Sequence, residues 1–147
     1  MGGQAIAIIG LALCAGLCGV GSAIGLFKTG SAASGILAED PKKFSKALIL
    51  VVLPATQGIY GFVLAILGMG SIVPEMTVMA GWKILGAALP LAITGLISGI
   101  YQGKTAVGGI YAIAKNESLS GKLILFPAMV ETYAILGLVV SILLMGA

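Results

Sequence analysis

The chain has 147 residues, of which 59% are hydrophobic and 9% charged; eight lysines, no arginine and no histidine accompany five acidic residues, for a formal net charge of +3. That balance excludes a water-soluble domain, and charge this sparse gives no footing for a nucleic-acid partner. With no histidine and only two cysteines, the usual soft-metal centres are excluded as well.

Four nearly uncharged segments follow one another, 4–27, 47–72, 81–103 and 123–146, each close to the roughly 20 residues that a helix needs to cross a bilayer. The expected fold is an all-α membrane protein with four transmembrane helices, integral and multi-pass. The first segment has an apolar start without a positive flank, so it reads as a retained helix and not as a cleaved signal. Cys14 and Cys18 lie one turn apart in it and read as buried, inert thiols. Gly16, Gly19, Gly21 and Gly25 share this segment, and small residues at such spacing let helix backbones approach closely in lipid. The turn that follows, 38–46, carries Lys42, Lys43 and Lys46.

In the second segment Pro54 is followed by Thr56, Gln57 and, one turn on, Tyr60. At about 100° per residue, Leu53, Thr56, Gln57 and Tyr60 share one face. The third segment carries Pro90, the glycine ladder Gly95, Gly99 and Gly103, and Gln102. Another charged turn, 115–122, leads to the fourth, which contains Pro127 and Glu131. Five of the eight lysines fall in the two turns, so the positive-inside rule puts both turns in the cytoplasm and the termini and the 68–80 connection outside. Lys28 and Lys104 lie further in. They suggest that the first and third helices run on past the membrane, their long stems reaching water.

Shifting the chain against itself by 76 positions aligns 8–70 with 84–146 without a gap. Identities run along the whole length, among them Gly19/Gly95, Ser22/Ser98, Lys28/Lys104, Thr29/Thr105, Lys46/Lys122, Thr56/Thr132 and Gly61/Gly137. The chain therefore divides into two tandem helical hairpins, 1–72 and 73–147. They are parallel repeats, unlike the inverted repeats of many transporters. Such hairpins can be laid side by side round an axis, with the glycine-rich odd-numbered helices as the crowded inner wall of a ring.

Glu131 is the one acidic residue of the fourth segment, and its repeat counterpart is Ala55. A carboxylate in mid-membrane costs about 3 kcal/mol on insertion scales unless it meets a partner or a proton, so its default reading is functional. The repeat puts Thr56 and Gln57 level with it; the depth of Gln102 depends on how far the third helix extends. One carboxylate with several neutral oxygens suits a hard monovalent cation. A proton needs only the glutamate, so the extra oxygens favour sodium. Singly, each has a plainer use: a membrane threonine bonds its own helix, and a glutamine bridges helices.

The runs Leu-Pro-Ala-Thr-Gln-Gly-Ile-Tyr-Gly (53–61) and Val-Glu-Thr-Tyr-Ala-Ile-Leu-Gly (130–137) resemble the rotor proteolipids of V-type ATPases, over essentially the whole chain. The sodium-pumping members are the more similar. The resemblance implies that the Leu53 carbonyl, Thr56, Gln57, Gln102 and Glu131 hold Na+ and that Tyr60 locks the glutamate. It also implies a homo-oligomeric ring in a bacterial plasma membrane, in contact with lipid, turning against a stator subunit that supplies an arginine and carrying central-stalk subunits on its cytoplasmic side. The chain lacks an arginine of its own and any phosphate-binding loop, so it is expected to be a non-catalytic subunit. Two alternatives stand beside this: a proton-carrying ring of the same family, and a small four-helix exporter.

Overall fold

A computed structural model describes residues 2–147. Six α-helices follow in order: α1 (Gly3–Glu39), α2 (Phe44–Val52), α3 (Thr56–Met69), α4 (Val78–Lys115), α5 (Ser120–Leu123) and α6 (Leu125–Gly146). Short 3₁₀ turns at Pro41–Lys43, Leu53–Ala55 and Glu117–Leu119 stitch them into four apolar, membrane-length rods, Gly3–Glu39, Pro41–Met69, Val78–Lys115 and Glu117–Gly146. The protein is an all-helical integral membrane protein, and the described residues contain no strand.

α1 and α4, at 37 and 38 residues, are each about 55 Å long at 1.5 Å per residue, against a hydrocarbon layer of about 30 Å. Lys28 and Lys104 accordingly lie inside continuous helices. Residues 27 and 103 mark where the apolar run stops, not where the helix does. The helices end where local chemistry ends them. Asp40 precedes Pro41, which disfavours helical backbone before it, and at φ −145° its carboxylate accepts from the Lys42 amide at 3.1 Å. Its repeat counterpart Asn116, at φ −148°, accepts from the Ser118 amide at 3.1 Å without any proline. An Asx-type cap thus closes both hairpins at the same register.

The two turns lie side by side. Lys43 Nζ donates to the Ala114 carbonyl at 2.8 Å, and Lys46 pairs with Glu117. Turns that touch at one end require hairpins of the same orientation, as the parallel repeat anticipates.

α1 and α4 form the core pair, with α3 against α1 and α6 against α4. Their crossing is built from glycine. A Cβ on Gly103 would lie 2.5 Å from the Gly25 Cα, and one on Gly99 would lie 2.7 Å from the Gly21 carbonyl carbon. Gly95 gives room to Cys18, which with Cys14 is buried and free. A Cβ on Gly16 or Gly19 would meet nothing within 4 Å, so these two take no part in the crossing. The prolines act differently from one another. Pro54 breaks the second rod into α2 and α3; Pro90 stays inside α4, where the Leu91 amide donates to Ser141 Oγ on α6 at 3.1 Å. Pro127 sits in the first turn of α6, where an amide proton has no helical partner to lose.

Candidate ion site

Three helices converge on Glu131. α6 carries the carboxylate, which stands half-buried. From α3, the Tyr60 hydroxyl donates to Glu131 Oε1 at 2.6 Å; from α4, Gln102 Nε2 donates to Glu131 Oε2 at 3.1 Å. Gln57 Nε2 donates in turn to Gln102 Oε1 at 2.6 Å, and both glutamines are fully buried. These contacts set the depth of Gln102: it sits between Gln57 and Glu131, level with both.

Leu53 and Thr56 stand at the break beside Pro54. A proline has no N–H, and the backbone tightens there to a 3₁₀ turn. The Leu53 carbonyl accepts from the Thr56 amide and, at 3.1 Å, from the Thr56 hydroxyl. Thr132, the repeat counterpart of Thr56, makes the same bond to the Met129 carbonyl at 2.7 Å. The threonine bond is therefore a property of both hairpins, whereas the glutamine and carboxylate network occurs once.

One atom is out of balance. Gln57 Oε1 is buried and has no hydrogen-bond partner; among the described residues only Ser98 Oγ shares that condition. An unsatisfied buried acceptor costs about 1–3 kcal/mol. The cluster thus holds one carboxylate, two buried amides and an acceptor without a donor, an excess of oxygen acceptors that a small cation would balance.

Sequence reasoning missed one positioning residue. Ser22 Oγ on α1 accepts from the Gly58 amide at 2.7 Å, tying α1 to the turn of α3 that carries Gln57. The Ser22/Ser98 identity is visible in the repeat; that the hydroxyl faces a backbone amide on another helix is not.

Fold and site together define a duplicated membrane hairpin with a single polar network around one carboxylate. A family model described as the ATP synthase C subunit matches the chain twice, over residues 9–68 and 85–144. The chain belongs to that family. It is 50% identical over 143 residues, 97% of its own length and 92% of the relative's, to the V-type sodium ATPase subunit K of Enterococcus hirae. It is 41% identical over 137 residues to the A-type ATP synthase subunit K of Methanocaldococcus jannaschii, covering 93% of this chain and 60% of that one. Identity to the 16 kDa proteolipid of the V-type proton ATPase of Homo sapiens is 28% over 125 residues, 85% of this chain and 81% of that one.

Proposed function

We propose that this chain is the rotor-ring subunit of a V-type sodium ATPase and that Glu131 binds and releases one Na+ as the ring turns. The observation that carries the choice of ion is Gln57 Oε1, a buried acceptor without a donor beside the Gln102–Glu131 pair. A sodium ion among the oxygens of Gln57, Gln102, Glu131, Thr56 and the Leu53 carbonyl would satisfy it, whereas a proton on Glu131 needs none of the other four. The 50% identity to a sodium ATPase subunit supports the same reading.

In this reading the hairpins 1–72 and 73–147 are laid round an axis, several copies closing a ring. Both turns, rich in lysine, face the cytoplasm of a bacterial cell and carry the central stalk. Tyr60 and Gln102 hold the loaded glutamate. A stator arginine draws the emptied carboxylate away from them, and the ring advances as sites load on one side of the stator and unload on the other. ATP is hydrolysed elsewhere in the assembly.

Carbodiimide labelling tests the assignment, because the reagent attacks the protonated carboxyl. Sodium should protect Glu131 in the purified protein. Gln57→Leu and Gln102→Leu each remove a neutral oxygen and leave the carboxylate, so protection should require much more sodium in either variant. Unchanged protection in both variants would make these amides helix bridges and favour a proton-carrying ring.

A further inference from the structure

Pro54 interrupts the second rod, and α1 grips that interruption at three points. Before the break, the Thr29 hydroxyl donates to the Val51 carbonyl at 3.0 Å. At the break, the Pro54 ring fills a notch at Gly25, where a Cβ would lie 2.6 Å from the proline Cβ. Beyond it, Ser22 Oγ accepts from the Gly58 amide at 2.7 Å. Ser22, Gly25 and Thr29 stand at i, i+3 and i+7, on one face of α1. Thr29 is fully buried. Its hydroxyl also lies 3.2 Å from the Gly25 carbonyl and 3.1 Å from that of Leu26, but it has one proton to give, and those two carbonyls belong to an unbroken helix that supplies their donors. The Val51 carbonyl has lost that supply: Pro54 withholds an amide, and the 3₁₀ turn over Leu53–Ala55 draws its amides to carbonyls three residues back instead of four.

The second hairpin has the same serine and threonine but makes no such grip. Shifted by 76 positions, Ser22, Gly25 and Thr29 become Ser98, Tyr101 and Thr105, and Pro54 becomes Val130. Val130 lies inside the continuous helix α6, so there is no break to hold. Ser98 Oγ is buried without a partner, Tyr101 leaves no notch, and Thr105 donates to the Tyr101 carbonyl of its own helix at 2.9 Å. The three-point grip therefore occurs once, on the hairpin that lacks the carboxylate and supplies Leu53, Thr56 and Gln57.

We propose that Thr29 is a positioning residue for the cation ligands: by satisfying the Val51 carbonyl it fixes the shape of the break, and with it the Leu53 carbonyl and the Thr56 hydroxyl. This rests on the sodium reading and adds to it a residue that touches no ion. Without the hydroxyl, the Val51 carbonyl is left without a donor in a membrane segment where water does not replace one. Leu53 is two positions on, so a carbonyl that turns to find another donor carries the ligand carbonyl with it. The groups that hold Glu131 lie outside this effect. Ser22 anchors the Gly58 amide before Tyr60 is reached, and Gln102 is on α4. Loss of the Thr29 hydroxyl therefore weakens sodium binding and spares proton binding.

The test is carbodiimide labelling of full-length protein purified as the oligomer, with two readings: the sodium concentration that halves the labelling of Glu131, and the pH profile of labelling without sodium. Thr29→Val removes the hydroxyl and keeps the shape. The protecting sodium concentration should rise about five- to tenfold, as expected when a hydrogen bond is lost and its acceptor left unpaired, while the sodium-free pH profile stays where it was. Thr29→Ser should restore wild-type protection, and Thr105→Val, at the repeat counterpart, should match wild type in both readings. Thr29→Ala carries the same expectation and replaces Thr29→Val should that variant fail to assemble. Unchanged protection without the hydroxyl overturns the proposal. So does a moved sodium-free pH profile, which would mean action through Glu131 itself, and so does a serine variant that behaves like the valine one, which would mean methyl packing. A wild-type protein that sodium does not protect overturns the sodium reading and this inference with it, whereas a protected wild type beside an unchanged variant overturns this inference alone.

Discussion

Tyr60 on α3 and Glu131 on α6 lie 71 positions apart and meet at 2.6 Å, the phenolic hydroxyl donating to Oε1. A hydrogen bond to a carboxylate is worth about 1.5–3 kcal/mol, and this one spans the two hairpins. It makes the resting orientation of the carboxylate a property of both repeats.

Tyr60→Phe removes that bond and little volume. Sodium affinity, followed by protection from carbodiimide, should fall by about tenfold or more, the loss expected from a charge-assisted hydrogen bond. Affinity equal to wild type would mean that Tyr60 contributes packing only.

Glu131→Gln keeps size and some hydrogen bonding but removes the charge. Ion-coupled turnover should vanish while the oligomer migrates as before on a native gel. Adding Ala55→Glu should not restore it, because Leu26 stands where the second hairpin has Gln102 and Tyr133 where the first has Gln57. Ion pumping by that double variant would refute the single-site reading.

Sodium needs the deprotonated carboxylate, so the two ions compete and sodium binding releases a proton. As pH falls, the sodium concentration that halves the labelling rate should therefore rise, approaching about tenfold per pH unit where protons dominate the site. A protecting concentration independent of pH would place the ion elsewhere than on Glu131.

Gly103→Leu drives a side chain into the α1 backbone, since even a Cβ there would lie 2.5 Å from the Gly25 Cα. It should destabilise the protein by at least the roughly 1–3 kcal/mol typical of overpacking, seen as a lower thermal midpoint in detergent. Gly35→Ala is the contrasting variant. Gly35 has open space around it, so the midpoint should hold or rise slightly with the better helix former.

Much of this molecule was legible in the chain itself. Hydropathy and length are local quantities, and they located four spans; the 76-residue offset, together with the charged turns it keeps in register, established two hairpins of one orientation and singled out Glu131 over Ala55. Helical periodicity put Leu53, Thr56, Gln57 and Tyr60 on one face. What periodicity cannot supply is the register between helices, because that is set by how deeply one backbone sinks into another. The glycine crossing of α1 and α4 settles it, using Gly21, Gly25, Gly99 and Gly103 while leaving Gly16 and Gly19 idle. Only that crossing, with α3 and α6 packed on either side, brings Gln102 level with Gln57 and Glu131 and leaves one buried amide oxygen without a partner.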